Sequence, residues 1–179
     1  MNKKNGYFLI EAIVAISVIV VGILGTLGLI SRSLSLNRVA SDQFIASYLA
    51  SEGVEVTKNI LDSNYINSVV GGDKAWNSGF DSGCYNVNYN SQTMNPSSCD
   101  CKSSDVLKLD DVTGIYGYSA GKDTRFCRII KIENLSEKEI RVNSVVEWTT
   151  RGGGSFSVNL EDHFFDWRPV LNPPPPINE

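Results

Sequence analysis

The segment from Ala12 to Ile30, AIVAISVIVVGILGTLGLI, contains no charged side chain over 19 residues. A helix needs about 20 consecutive apolar residues to cross the hydrocarbon core of a bilayer, so this segment is predicted to span a membrane. A secretory signal peptide has a shorter apolar region that ends at a small-residue cleavage site. Here the apolar run continues into a helical pattern, so we expect no cleavage after it. A buried core helix of a soluble protein is the alternative interpretation.

The residues before the span carry charges of both signs. The first six, MNKKNG, are polar, and Lys3 and Lys4 favour a cytoplasmic location by the positive-inside rule. The part of the chain after the span is then exported. Residues 7–11, YFLIE, place the carboxylate of Glu11 at the head of an apolar helix. A carboxylate inside a membrane helix costs a few kcal/mol, so Glu11 calls for a partner.

The sequence KKNG followed by YFLIEA resembles the leader and cleavage site of type IV prepilins and pseudopilins. Members of this family have a short basic leader that ends in glycine, then an aromatic residue, apolar residues and a glutamate as the fifth residue of the mature chain. The resemblance implies that prepilin peptidase cuts after Gly6 and that Tyr7, where phenylalanine is usual, becomes the N-methylated terminus. It also implies that Glu11 sets the register of subunits in a filament, paired with the amino group of Tyr7 on a neighbour. A carboxylate that faces lipid head groups is the alternative for Glu11.

A helical pattern without proline continues from Ser31 to about Leu61. Apolar residues at helical spacing line one face of it. They are Ile45, Leu49, Val56 and Ile60, with Gly53 between them. This stripe predicts an amphipathic helix that a sheet covers. The acidic residues Glu52, Glu55 and Asp62 are expected to be solvated helix charges.

The chain beyond residue 83 changes to a period of two, which is typical of strands. Strands are predicted around Tyr85-Val87-Tyr89, over 126–132, over 140–147 and over 156–160. Turns at 134–138 and 151–155 indicate that the last three strands form an antiparallel meander. The pair Val145-Val146 breaks the alternation and suggests a bulge or burial on both faces.

The predicted fold class is therefore α+β. The resemblance implies the type IV pilin fold, in which a long N-terminal helix, membrane-spanning in its first half, packs on a small antiparallel sheet. The expected segments are a leader (1–6), a transmembrane or filament-core helix (7–30), an amphipathic helix of the head (31–64), a loop and β head (65–168) and a Pro-rich flexible tail (169–179).

Four cysteines lie in the part that is predicted to be exported, where an oxidising compartment allows disulfides. They are Cys84, Cys99, Cys101 and Cys127. A bond between Cys99 and Cys101 would be strained, so we expect one of them to pair with Cys84 and the other with Cys127. These bonds would close the irregular segment 90–121. A four-thiolate zinc site is the alternative, although the sequence lacks the two CxxC motifs of such sites.

Other chemistry-bearing residues give no catalytic motif. Four acids cluster in one loop, where some pseudopilin heads hold calcium, but they lack EF-hand spacing and are expected to be surface acids. They are Asp100, Asp105, Asp110 and Asp111. The lone His163 has no recognisable nucleophile motif beside it, and a pI near 5.1 argues against bulk neutralisation of a nucleic acid. We expect no cofactor, no metal, no catalytic residue and no small-molecule substrate.

The resemblance, which extends to minor pilins and I-type pseudopilins, implies a minor pilin of a type IV pilus that is not an enzyme. Its location would be the inner membrane, with a head in the periplasm or, after assembly, at the cell surface. The implied partners are prepilin peptidase, the inner-membrane assembly platform, membrane lipid and other pilins or pseudopilins. A type II secretion pseudopilin is the close alternative, and a pilus-tip adhesin or DNA-uptake pilin is a less close one. An exported hydrolase with a signal anchor would need a nucleophile constellation, which we do not find.

Overall fold

The computed structural model describes residues 4–69, 75–101, 105–150 and 153–167. The tail predicted at 169–179 lies outside these residues. The architecture is α+β, with one long helix, α1 (Lys4–Val69), followed by an antiparallel sheet, and it is compatible with a pilin-like layout. The chain divides into two compact units, Met1–Asp42 and Gln43–Glu179, which are described separately.

The first unit consists of the N-terminal part of α1. Side chains 7–38 are all exposed within the chain. The helix contains a window that is long and apolar enough to cross a membrane, and none of that window is buried. A core helix of a soluble protein would be mostly buried, so the exposure argues against that alternative. The segment is compatible with a single-pass membrane anchor.

The second unit begins with the remainder of α1, which packs on the sheet. The predicted apolar stripe is confirmed, because Leu49, Val56 and Ile60 are buried and Ile45 is half-buried. The helix ends at Val69, beyond the boundary predicted at residue 64. Its last turns are polar, and Ser63 and Ser68 donate hydrogen bonds to backbone carbonyls within the same helix. Such bonds satisfy the hydroxyls without adding stability to the helix.

Within the described residues, seven strands form the sheet. They are β1 (Gly83–Asn86), β2 (Asn95–Pro96), β3 (Val106–Leu109), β4 (Tyr116–Gly117), β5 (Lys122–Ser136), β6 (Glu139–Thr149) and β7 (Ser155–Phe165). One edge of β5 pairs with β3 and β1 in succession, and the other edge pairs with β6. Strands β2 and β4 flank β1 and β3, and β7 pairs with β6. The predicted meander of the last three strands is confirmed.

Two features of the strands differ from the prediction. Strand β1 ends at Asn86, so Val87 and Tyr89 lie outside it. A turn begins there, in which Ser91 and Asn88 exchange hydrogen bonds of 3.0 and 2.9 Å. The segment predicted to be an irregular loop, 90–121, contains the short strands β2, β3 and β4.

The alternation of β6 also differs from the prediction. Every second residue from Ile140 to Trp148 is buried, and the register with β5 and β7 runs through Val145 and Val146 without a shift. Of the two alternatives predicted for that pair, the bulge is therefore wrong; Val146 is buried on one face of the strand and Val145 is half-buried on the other. The polar side chain of Ser144 occupies a core-facing position and hides the period of two in the sequence.

Both faces of β5 are covered. Phe126, Ile130 and Ile132 belong to the core beneath α1, while Cys127 and Ile129 belong to a smaller cluster with Cys84 on the other face. The helix covers one side of the sheet. The disulfide-linked chain before β5 covers part of the other side.

Candidate assembly site

Glu11 is the only charged residue between positions 7 and 30. The two aliphatic hydroxyls of this segment are satisfied within the helix: Ser17 donates to the Ile13 carbonyl at 2.7 Å and Thr26 to the Ile23 carbonyl at 2.9 Å. Among the side chains that the structure describes, which begin at Tyr7, none forms a hydrogen bond or ion pair with the Glu11 carboxylate. Glu11 is therefore a charged group that no described side chain compensates.

The predicted cleavage site lies within α1. The helix begins at Lys4, so the backbone at Gly6 and Tyr7 is helical. A peptidase that requires an extended backbone would have to unwind this turn. Glycine makes such unwinding easier, because it lowers the stability of a helix by about 1 kcal/mol relative to alanine. The first turn also lacks acidic residues that would stabilise it through the helix dipole.

A buried arginine joins the head helix to the sheet in the second unit. The Arg128 side chain is fully buried on β5, and its guanidinium donates to the Leu49 carbonyl at 3.0 Å and to the Val87 carbonyl at 2.6 Å. Its Nη1 also lies 3.4 Å from Glu52 Oε1. The expectation that Glu52 is a solvated charge is therefore wrong. A charge removed from water requires such partners, and removal of one of them would leave the other charge uncompensated.

Tyr118 extends this network on the sheet side. Its hydroxyl donates to the Arg128 carbonyl at 2.8 Å. Burial raises the pKa of Tyr118 above its ordinary value, against the opposing effect of the Arg128 charge. The phenol therefore remains protonated and keeps its role as a donor over the ordinary pH range. Strand alternation puts Arg128 on the same face of β5 as Phe126, Ile130 and Ile132, and a lone arginine in this apolar row was the signal that could have revealed the contact.

Gly53 allows the helix to approach the sheet. A β-carbon on Gly53 would lie 2.7 Å from Ile130 Cδ1 and closer still to Ser144 Oγ. Thr57, fully buried one turn later, donates its hydroxyl to the Gly53 carbonyl at 2.7 Å. The contact is thus built from small or internally satisfied side chains, and any larger residue at position 53 must displace the Ile130 and Ser144 side chains or the helix itself.

All four cysteines are paired. Cys84 is bonded to Cys99 and Cys101 to Cys127, which is one of the two pairings that the sequence left open. The zinc alternative does not fit, because no free thiol remains. By loop-closure entropy, a bond that closes a loop of 15 residues stabilises the folded chain by about 3 kcal/mol.

The loop aspartates serve local structure. Asp110 accepts hydrogen bonds from the Val112 amide at 2.9 Å and the Thr113 hydroxyl at 2.8 Å, and these bonds hold its pKa below the ordinary value. Asp111 pairs with Lys122 at 2.5 Å. Within the described residues, no three of the His, Cys, Asp and Glu side chains form a group that could hold a metal ion.

His163 connects β7 to β6 on the helix-free face of the sheet. Its Nδ1 lies 2.8 Å from Glu139 Oε1 and its Nε2 lies 3.4 Å from Glu161 Oε1, while Arg141 is its direct cross-strand partner. Hydrogen bonds to Glu139 and then to Glu161 raise the pKa of His163. This arrangement uses the imidazole as a cross-strand contact, and the side chains at the ring nitrogens are carboxylates rather than a nucleophile.

No model of a protein family, no curated protein and no solved structure matches this chain.

Substitution of Gly53 by alanine is expected to destabilise the head by about 1–3 kcal/mol, because the added methyl overpacks the contact with Ile130 and Ser144. Urea unfolding of the full chain in maltoside micelles, followed by tryptophan fluorescence, measures the change. Asn59→Ala, at an exposed position of the same helix, is the control and should change the stability by less than about 0.5 kcal/mol. Equal stability of the two variants would contradict the close approach at Gly53.

The pH dependence of stability should carry a contribution from His163. Because its pKa is raised in the folded chain, this contribution is fully present below the unfolded pKa of about 6.5 and is lost as the pH rises through the folded pKa. Unfolding of the native chain and of His163→Gln should therefore differ more at pH 6 than at pH 8.5. His163 is the only histidine in the sequence, so no other imidazole contributes. A constant difference between the two pH values would rule out the contact.

Proposed function

We propose that the chain is a minor pilin subunit of a type IV pilus-like filament, which assembles through the N-terminal part of α1 after cleavage between Gly6 and Tyr7 and methylation of Tyr7. One observation carries the proposal. An exposed apolar helical segment holds a single uncompensated carboxylate, that of Glu11, and it is followed in the same chain by a folded, disulfide-linked head. The resemblance of the N-terminal sequence to prepilins supports the same function.

Lipid tails could cover the apolar side chains, but they cannot compensate the carboxylate. In a bilayer the hydrophobic effect does not drive helices together, since lipid tails are as apolar as leucine. Close packing and polar pairs then decide which helices associate. A cation on a neighbouring subunit, such as the amino group that cleavage would create at Tyr7, satisfies Glu11 only at one stagger of the two helices. The charge pair would therefore supply register, while apolar packing supplies the contact area.

The partners in this proposal follow from the steps by which the subunit is processed, held in the membrane and assembled. Prepilin peptidase and the inner-membrane assembly platform act on the N-terminal segment, lipid surrounds that segment before assembly, and other pilins surround it afterwards. The head is exported and is presented on the filament. The buried Arg128 and the two disulfides support a structural role for the head, because both make it rigid. Disulfides also persist in the oxidising environment outside the cell.

Substitution of Glu11 tests this function. Glu11→Gln and Glu11→Val should still be cleaved but should enter filaments about tenfold less than the native subunit, because loss of a pair worth about 1.4 kcal/mol changes an equilibrium tenfold. The measurement is the fraction of the subunit in sheared filaments relative to the membrane, determined by immunoblot. Glu55→Gln, at an exposed glutamate of the same helix, is the matched control and should be incorporated normally.

Two results would contradict the proposal. Normal incorporation of both Glu11 variants would remove the role of the carboxylate. Absence of the native subunit from sheared filaments, in cells that make pili, would exclude a pilin of the surface filament and favour a pseudopilin of a secretion machine.

A further inference from the structure

Strand β7 is an open edge of the sheet. All its 11 residues, Ser155–Phe165, have a partner on β6, and no described residue pairs with its other side. Along that side, every second backbone amide and carbonyl lacks a hydrogen-bond partner within the described residues. Such a row of unpaired groups is a template for another strand.

This edge lacks most of the features that prevent strand addition. Natural proteins protect edge strands with proline, lysine, a bulge, a short length or a charge that points inward. Strand β7 contains no proline and no lysine, its register with β6 has no shift, and it is twice the common strand length of about 5–6 residues. Its one inward charge is Asp162, which lies opposite Val142 on the face that carries the helix. An added strand must therefore neutralise Asp162 as well as pair with the edge.

The apolar side chains of β7 indicate which apolar side chains an added strand would need. Phe156 and Leu160 lie opposite Trp148 and Ser144, so they point to the face of the sheet that carries the helix. Phe156 stacks on Trp148, yet it remains 39% exposed, and Leu160 remains 38% exposed. An added strand would bury both with apolar side chains at alternate positions.

The charged side chains of β7 indicate which charge an added strand would need. The strand contains Glu161 and Asp162 but neither lysine nor arginine. Glu161 already accepts a hydrogen bond from Asn143 at 2.7 Å and lies against His163. Asp162 shares a face with Phe156 and Leu160, and the only contact of its carboxylate within the described residues is the His163 backbone amide at 2.8 Å. An ion pair for Asp162 must come from a cation outside β7.

We propose that β7 is the docking edge for an extended strand of a second, different protein. This strand would place apolar side chains against Phe156 and Leu160 and a lysine or arginine against Asp162. Main-chain hydrogen bonds would supply most of the affinity, and the alternate side chains would supply the specificity. A second copy of β7 fits less well, because it offers Asp162 no lysine or arginine.

A defined peptide tests the docking edge on the full chain in maltoside micelles. The probe is an alternating peptide with valines at the positions that face Phe156 and Leu160, threonines between them, and a lysine that faces Asp162. It should bind, as measured by fluorescence anisotropy, and should protect every second amide of β7 from hydrogen exchange. A peptide with glutamate in place of the lysine should bind about tenfold more weakly, since like charges placed opposite each other destabilise a strand pair.

Two controls separate pairing from non-specific attraction. A probe with N-methylated amides along the pairing edge keeps its charge and shape but should lose both binding and protection. The variant Asp162→Lys should reverse the preference in favour of the glutamate peptide, whereas Glu137→Lys, an equal charge change in an exposed turn, should not.

The proposal is overturned if the lysine peptide fails to protect β7, or if the lysine and glutamate peptides bind equally. It is also overturned if the chain alone associates with itself with protection of the same amides, since β7 would then pair with a second copy. Binding needs the folded head and not the processed N-terminus, so a failure of the assembly proposal would leave this result unchanged.

Discussion

The exposed apolar segment of α1 is the constraint on which the rest of the protein depends. Side chains 7–30 are exposed within the chain, and burial of apolar surface is worth about 25 cal/mol per Å², so water is an unfavourable surrounding for this segment. A membrane or a bundle of similar helices must cover it. Glu11 then distinguishes the two surroundings, because a neighbouring subunit can supply a cation where hydrocarbon cannot. Together, the apolar surface and the single charge are the grounds on which we propose an assembly protein rather than a simple anchor.

The second unit shows how the same helix becomes part of a head. At Gly53 the helix lies against Ser144 and Ile130, and one turn away Arg128 binds the Leu49 carbonyl and Glu52. A guanidinium inside a protein is costly, and here its two Nη atoms donate to two carbonyls and Nη1 lies 3.4 Å from the Glu52 carboxylate, while its Nε has no hydrogen-bond partner among the described residues. The joint is directional, since these acceptors lie at defined positions of the helix and of the loop after β1. This geometry fixes the rotation of the helix about its axis and its position along that axis relative to the sheet. Apolar contacts alone would define both less well.

Much of this fold could be predicted from local patterns. The membrane-span prediction follows from composition, because residues Ala12 to Ile30 carry no charge. The helix stripe through Leu49 and Ile60 follows from a period of about 3.6 residues, and the alternation in β5 follows from a period of two. The misses have a common physical origin in polar side chains at buried positions. Ser144 hid the phase of β6, and Glu52 resembled a surface charge because its partner, Arg128, is distant in sequence and comes near only through folding. The choice between the two cysteine pairings likewise depended on how β1 lies beside β5.

The candidate assembly site was predictable as a motif, whereas its surroundings in a filament involve other subunits. The structure adds that Glu11 has no partner among the described residues and that the predicted cut lies in helical backbone. The most direct test is N-terminal sequencing, together with intact mass, of the native protein extracted from membranes of cells with an active processing peptidase. The account predicts a chain that begins at N-methylated Tyr7. A chain that still begins at Met1 would contradict it.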